Sequence, residues 1–280
     1  MVKYYLEVLK PRASILLTFI GLGAAIVAGD GALSPRLLLI ALAIFIASAG
    51  ANGLTNYIDC GIDTLMRRTK HRALPSKRIA PPEKVLPLTI SLVIIGLGLA
   101  WYLHPYAFAA DFIGTLAAVI GRKRVTCVFP QGMLASCAPV LMGWFAVRPA
   151  FGWELLFLCL LIAVWLPLHV WSVMIAHRED YIQAGLTYFP MSWEVKDSVK
   201  VLLAFSVLLL VSSIALYFIG GFAWLYLVSA IVLGALMVYA TSRLVVSHAS
   251  QDAWRLYKLS AFPYLGLIFL IMCLDIWLFK

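Results

Sequence analysis

Charged residues are scarce in this chain, and their scarcity argues against a water-soluble fold. Only 12% of the 280 residues are Asp, Glu, Lys or Arg, whereas 63% are hydrophobic, and the mean hydropathy is +0.96. Soluble domains carry about twice that share of charge, because their surfaces face water. The sequence therefore predicts an integral membrane protein, folded as a single domain over residues 1–280 and surrounded by the lipid bilayer.

Cysteine is also sparse, and its distribution excludes two other classes of protein. The five cysteines are odd in number and widely spaced, and no C-x-x-C pair occurs. Neither a disulfide framework nor a cysteine-based metal site is therefore expected. The net charge of +9 would suggest nucleic acid binding in a soluble protein. Here the basic residues flank hydrophobic runs, so we expect no nucleic acid partner.

Long hydrophobic runs predict nine transmembrane helices. With nine spans, all but three of the 22 Lys and Arg residues fall on one side of the membrane, the exceptions being Arg36, Arg148 and Lys280. The positive-inside rule then places the N-terminus in the cytoplasm and the C-terminus outside, in the plasma membrane. We expect an all-α polytopic bundle around a central cavity that opens to the cytoplasmic side. The predicted spans are residues 13–29, 37–58, 86–103, 107–121, 129–147, 153–176, 200–220, 222–242 and 256–279.

A polar stripe runs along the end of the second predicted span. Asn52, Asn56, Asp59 and Asp63 fall within about 60° of one another if the helix continues, at about 100° per residue. Carboxylates near a membrane are costly unless they face a cavity, a partner or a metal ion. The alternative interpretation is a capped helix end with solvated aspartates. The stripe itself leaves both interpretations open.

A basic segment follows this stripe at once, and it favours the functional interpretation. Carboxylate and amide oxygens suit Mg²⁺, which keeps some of its waters and bridges to a substrate's phosphates. Adjacent guanidinium and ammonium groups bind the remaining phosphate oxygens. Together they predict a diphosphate site. The segment contains Arg67, Arg68, Lys70, His71, Arg72, Lys77 and Arg78.

A second polar group follows the sixth predicted span, on the same predicted side of the membrane. Trp165 and His169 lie in the span, and His177, Arg178 and Asp180 follow it. On a continuous helix His169 and Asp180 would point within about 20° of each other, with His177 nearby at about 80°. The two polar groups therefore predict one shared pocket. A lone histidine in a membrane is equally well explained as a hydrogen-bonded core residue.

The remaining charged residues carry less information. Arg122, Lys123 and Arg124 are explained by topology alone, although we expect one of the three near the phosphates. Asp111 and Asp275 lie toward the opposite side of the membrane from the polar loops, and we expect structural roles for both.

The motifs resemble those of UbiA-type intramembrane prenyltransferases, and within that superfamily the heme O synthases, also called protoheme IX farnesyltransferases. The chain departs from their pattern at Thr55, Gly61, Ala118 and Leu168, which leaves the identity of the acceptor substrate open. The resemblance spans about residues 5 to 190. It rests on Asn56-Tyr57-Ile58-Asp59, Ile62-Asp63, Met66, Arg68-Thr69-Lys70, Arg72, Gly143-Trp144, Trp165-x-Pro167-x-His169, Arg178, Asp180-Tyr181, Ala184-Gly185 and Pro190.

This resemblance implies Mg²⁺-dependent transfer of a farnesyl group from farnesyl diphosphate to the vinyl group of protoheme IX (heme b), giving heme O. It leaves open whether His169 or His177 binds heme iron, orients a propionate or accepts a proton. A downstream heme-modifying enzyme or a second copy of the chain is the expected partner. The implied metal ligands are Asn56, Asp59, Asp63 and Asp180. The implied catalytic residues are Asp59, Asp63, His169 and Asp180. The implied substrate-binding residues are Asn56, Tyr57, Arg68, Lys70, Arg72, Lys123, Arg124, Trp165, His177 and Arg178.

Other functions stay open at this stage. A UbiA-type enzyme could prenylate an aromatic or quinone precursor instead of heme. A non-catalytic transporter or heme-handling protein is the alternative from another class, but its polar residues would be expected at mid-membrane. A membrane alcohol phosphotransferase would need more closely spaced acids than this chain has.

Overall fold

The structure, a computed structural model, describes residues 1–120 and 129–279. Within those ranges the chain is helical and contains no β-strand, which confirms the predicted all-α fold. Proline stands at the first position of α2 and of α5, where its missing N–H costs no helical hydrogen bond. The helices are α1 Val2–Val8, α2 Pro11–Ala28, α3 Arg36–Leu65, α4 Leu86–Leu103, α5 Pro105–Val119, α6 Gln131–Val147, α7 Trp153–Ala176, α8 Arg178–Gln183, α9 Val195–Gly220, α10 Trp224–Ser247, α11 Ser250–Leu259 and α12 Leu267–Phe279.

Seven stretches in the described ranges are long and apolar enough to cross a membrane. They contain α2, α3, α4, α7, α9, α10 and the pair α11 and α12. The predicted spans at 107–121 and 129–147 correspond to α5 and α6, which are apolar but only 15 and 17 residues long. A spanning helix needs about 20 apolar residues. The chain therefore has the helices of an integral membrane protein, but the count of nine spans is not confirmed.

Helices α2 and α6 pack closely against each other. A Cβ atom at Gly143 would overlap the backbone carbonyl of Gly21, so only glycine permits this approach. Small residues commonly mediate such contacts in membranes, where packing rather than the hydrophobic effect holds helices together. The neighbouring Trp144 is fully buried and donates its indole N–H to the Ala150 carbonyl oxygen at 3.0 Å. Gly143-Trp144 is thus part of the bundle core.

The last membrane segment bends between α11 and α12, at a π-helical stretch over Ser260–Gly266. Farther along, the fully buried Asp275 accepts hydrogen bonds from the backbone N–H groups of Ala223, at 2.5 Å, and Tyr226, at 2.9 Å. These N–H groups lie at the start of α10, where they have no partner inside the helix. Asp275 therefore has the expected structural role.

Candidate active site

The polar stripe lies on one helix, because α3 continues past the apolar run to Leu65. Asn56, Asp59 and Asp63 are all buried on it. The Asn56 amide nitrogen donates to the Val8 carbonyl oxygen at 2.6 Å, which fastens α1 against α3. Its amide oxygen is buried and has no hydrogen-bond partner within the described ranges. An oxygen in that state is a ready ligand for a cation.

The basic loop, residues 66–80, folds back over this end of α3. The guanidinium of Arg72 lies 3.0 Å from the carboxylate of Asp63, which is only 1% exposed. The Thr69 hydroxyl donates to the Asp63 carbonyl oxygen at 3.1 Å. Because Arg72 is half-buried, the pair is partly shielded from water and its attraction is stronger than at an open surface. Lys70 is exposed on the same loop.

The second loop, residues 177–194, does not continue α7 as a straight helix. His177 has φ −123° and ψ 34°, and it separates α7 from the short α8. The premise that His169 and Asp180 share one helical face is therefore wrong. Asp180 nevertheless reaches the basic loop: its carboxylate accepts the backbone N–H of Arg68 at 3.0 Å, and Arg67 lies 4.0 Å away. The two loops meet through tertiary contacts.

Two cavities lie at this junction. The larger, of about 720 Å³, is lined by basic and polar side chains of both loops, including Arg67, Arg68, His177 and Asp180. The smaller, of about 150 Å³, is lined by Asn56, Asp63 and Arg72 together with Glu7 and Lys10. The two polar groups thus line separate cavities at one end of the bundle, and each cavity combines acidic with basic side chains, as a site for a metal-bound diphosphate requires.

The two histidines occupy different surroundings. His177 lines the larger cavity and packs edge-on against Trp254, with ring centroids 5.2 Å apart. Burial and the nearby Arg68 charge lower the pKa of His177, while Asp180 partly opposes this. His169 is stacked between Trp165, at 4.8 Å, and Tyr257, at 4.6 Å. Its Nδ1 lies 3.0 Å from the Ser260 hydroxyl.

The Trp165 side chain also contacts Ser260, at the backbone carbonyl group of the serine. Its indole N–H donates to the Ser260 carbonyl oxygen at 2.6 Å. The Trp165 and His169 rings are thus connected to the π-helical stretch that follows α11. No local sequence pattern indicates this connection, because it depends on how the last membrane segment bends.

Other predicted site residues lie in more varied positions. The guanidinium of Arg178 donates to the carbonyl oxygens of Pro190, Met191 and Trp193, at 3.0, 2.9 and 2.8 Å, so it fastens the second loop. Tyr57 packs with Val8, Ala73, Leu74, Ile79 and Val85, beneath the basic loop. Lys123 and Arg124 lie outside the described residues.

Sequence reasoning missed Glu7. Its carboxylate accepts the backbone N–H of Ala73 at 3.0 Å and lies 3.6 Å from the Arg78 guanidinium. Glu7 therefore holds the far half of the basic loop against α1. The one available signal was an acidic residue placed among the basic residues of the N-terminal segment.

The donor atoms at the end of α3 suit a hard divalent ion. Within the described ranges, no three His, Cys, Asp or Glu side chains lie together so that they could hold a metal ion by themselves. Asp59, Asp63 and Asn56 offer two carboxylates and one amide oxygen, so a bound ion would complete its coordination with waters and phosphate oxygens. Mg²⁺ is commonly bound in this open manner.

Comparison with known proteins assigns the chain to a family. The model of the UbiA prenyltransferase family matches residues 15–266 of the chain. The chain belongs to the UbiA prenyltransferase family. This confirms the resemblance drawn from the motifs, and with it an intramembrane prenyltransferase rather than a transporter.

Curated UbiA relatives align over nearly the whole chain. A protoheme IX farnesyltransferase of Desulforudis audaxviator is 34% identical, with the alignment covering 99% of this chain and 89% of the relative. A protoheme IX farnesyltransferase of Gloeobacter violaceus is 33% identical, over 97% and 91%. The chain is therefore similar in extent as well as in sequence to these UbiA enzymes.

Solved structures share the UbiA fold. The structure of a digeranylgeranylglyceryl phosphate synthase matches with a TM-score of 0.78 at 19% identity, covering 98% of both chains. A UbiA homologue from Archaeoglobus fulgidus, bound to GPP and Mg²⁺, matches with a TM-score of 0.66 at 16% identity, covering 96% of this chain and 99% of that one. At these identities the likeness establishes the fold.

Proposed function

We propose that this protein transfers a farnesyl group from farnesyl diphosphate to a vinyl group of heme b, yielding a hydroxyethylfarnesyl side chain. The relatives named protoheme IX farnesyltransferase support the donor and acceptor, since they align end to end with this chain. The Archaeoglobus fulgidus homologue, bound to GPP and Mg²⁺, supports a metal-dependent prenyl diphosphate site.

One observation in this chain carries the proposal: the joining of the two polar loops. The backbone N–H of Arg68 donates to Asp180, while Arg72 of the same loop pairs with Asp63. A carboxylate from each half of the chain is thereby connected through one basic segment. A diphosphate needs this combination, because its charge must be met by both metal ions and cationic side chains.

The acidic and basic residues of the site have different roles in ionising the diphosphate. Asn56, Asp59 and Asp63 would hold Mg²⁺, with Asp180 supporting the opposite side. When bound, Mg²⁺ neutralises charge on the diphosphate and makes it a better leaving group. Arg68, Lys70 and Arg72 would stabilise the charge that grows on the departing oxygen, and Lys123 and Arg124 are proposed for the same role.

The bundle then has to protect an allylic cation. Its apolar helices keep bulk water away, and aromatic faces stabilise positive charge. Trp165 and Tyr57 are the proposed aromatic groups. For His169 and His177 the three roles of binding heme iron, orienting a propionate and accepting a proton remain alternatives, and the lowered pKa of His177 favours a neutral imidazole at pH 7.

We further propose that the loops face the cytoplasm from the plasma membrane, with the C-terminus outside. The support is the charge distribution in the sequence, since a layout of nine spans assigns all but three of the 22 Lys and Arg residues to the side of the two loops. Association with a downstream heme-modifying enzyme, or with a second copy, is proposed because the product is itself membrane-bound.

Turnover by the purified protein tests the proposal. Protein in lipid nanodiscs is incubated with heme b, farnesyl diphosphate and Mg²⁺, and heme products are identified by mass spectrometry. We expect farnesylated heme from the wild type and none from Asp59→Ala, Asp63→Ala or chelator-treated protein. Glu154→Gln, at the far end of α7, serves as the matched control and should retain activity.

The opposite results are equally informative. If heme returns unchanged while an aromatic or quinone precursor is prenylated, the acceptor assignment is wrong and the rest of the proposal stands. If both Asp variants keep full activity in the presence of chelator, the metal site is wrong.

A further inference from the structure

A cavity of about 160 Å³ lies between helices of the bundle, apart from the two loop cavities, and its lining is partly polar. It is bordered by α2, α3, α5 and α6, where membrane helices would ordinarily pack apolar side chains against each other. At about 30 Å³ per molecule the space holds roughly five waters. Its polar lining consists of Ser48, Asn52, Thr55, Asp111, Thr115 and Ser136.

Asp111 is the one ionisable side chain among the described residues that line this cavity. It is 7% exposed, and its Oδ2 atom is buried with no hydrogen-bond partner in the described ranges. The Thr115 hydroxyl, one turn along α5, lies within hydrogen-bonding reach of the carboxyl group. An acid with one unpaired, buried oxygen inside a membrane bundle is costly and is typical of a functional site. A structural role explains Asp275, which caps α10, but not Asp111.

The cavity adjoins the diphosphate site along α3. Thr55 lies one helical turn before Asp59, about 6 Å along the helix axis, and Asn52 lies about 10 Å from it. The reacting carbon of a prenyl diphosphate is bonded to the phosphate oxygen, so the acceptor carbon must approach within a few Å of the same position. Thr55 thus connects the metal-binding end of α3 to the space that contains Asp111.

Adding an allylic cation to an alkene produces a second carbocation, which a further step must neutralise. The bond between farnesyl C1 and the diphosphate oxygen breaks, and diphosphate leaves with the electron pair. The C1 cation bonds to the terminal vinyl carbon, and positive charge moves to the vinyl carbon attached to the porphyrin ring. To form a hydroxyethyl group, a water oxygen must bond to that carbon and lose one proton. A base has to accept it.

We propose that Asp111 is this base and that the cavity holds the water that is added. The inference rests on the proposed function and adds a catalytic residue to it. Water oxygen forms the new C–O bond while its proton passes to the Asp111 carboxylate, so the atoms and charges balance without a redox partner. Without the base, the same cation loses a proton from carbon and gives a farnesylated alkene lighter by one water.

The ratio of the two products distinguishes this role from a structural one. Asp111→Asn keeps the side-chain shape and removes the base, so the ratio of hydrated to anhydrous farnesylated heme should fall about a hundredfold. Release of diphosphate should stay within about twofold of the wild-type rate, because that step belongs to the loops. Glu154→Gln should leave the ratio unchanged. Added formate should restore hydrated product to Asp111→Ala, which is the second variant.

Each contrary outcome has a definite meaning. A wild-type ratio in Asp111→Asn, or an Asp111→Ala protein that folds but is not rescued by formate, overturns the role of Asp111 and leaves the proposed function intact. If the wild type forms neither farnesylated product, the proposed function fails and this inference fails with it.

Discussion

Removing the guanidinium of Arg178 should open the second loop. Its N–H groups donate to three carbonyl oxygens within four consecutive residues, those of Pro190, Met191 and Trp193. Arg178→Ala removes all three charge-assisted bonds and leaves those carbonyls to water. We expect residues 184–194 to lose local order while the membrane helices keep theirs.

The magnitude follows from the number of bonds. Hydrogen bonds to charged groups contribute about 1.5 to 3 kcal/mol each, and the half-buried position of Arg178 favours the lower end. After allowing for partial replacement by water, the free energy of local opening should fall by about 3 kcal/mol. That corresponds to roughly a hundredfold faster exchange of the protected amides.

Amide hydrogen exchange in nanodiscs, followed by mass spectrometry, measures this directly. Arg178→Lys should give an intermediate result, since one ammonium cannot reach three carbonyls in a fixed fork. Lys200→Ala is the control, because its pair with Asp197 is exposed and contributes little. Unchanged exchange over 184–194, together with a raised KM for farnesyl diphosphate, would show instead that Arg178 binds substrate.

Three further changes test other parts of the structure. Gly143→Ala should lower unfolding stability by about 1 to 3 kcal/mol in thermal melts, because its Cβ would overlap the Gly21 carbonyl; an unchanged Tm would refute that packing. Asp275→Ala should cost a similar amount or more by leaving buried N–H groups at the start of α10 without an acceptor, and unaltered melting would contradict the cap. Because the pKa of His177 is lowered in the folded protein, the imidazole binds a proton more readily in the unfolded chain. The free energy of unfolding should therefore fall as the pH drops below 6.5, the ordinary pKa of histidine. His177→Gln should show a flatter dependence of stability on pH. Identical pH profiles of stability for the two proteins would show that His177 does not contribute to the pH dependence.

Helical periodicity predicted the positions of site residues correctly where those residues lie on one continuous helix. Asn56, Asp59 and Asp63 were placed on one face by periodicity alone, and they are buried together because α3 extends to Leu65. The same reasoning failed for His169 and Asp180, because His177 leaves helical geometry and turns the chain into α8. Periodicity cannot foresee such a break.

Contacts between segments that are distant in the sequence could not be predicted from local patterns. Glu7 supports the basic loop across 66 residues of sequence, and no local pattern marks that pairing. Asp111 was assigned a structural role from its depth, whereas the cavity beside it exists only because α3, α5 and α6 pack around small residues there. The predicted spans over α5 and α6 correspond to helices of 15 and 17 residues, and these lengths do not confirm that either helix crosses the membrane.

The proposed function requires the two loops to form one diphosphate site, and equilibrium binding tests this requirement. Calorimetric titration of the purified protein with a non-hydrolysable farnesyl thiodiphosphate in Mg²⁺ should show at least about tenfold weaker binding in Asp63→Asn and in Asp180→Asn, a loss of about 1.4 kcal/mol each. Glu154→Gln should bind as the wild type does. If Asp180→Asn binds as tightly as the wild type while Asp63→Asn does not, the second loop takes no part in the site and the two loops do not form one diphosphate site.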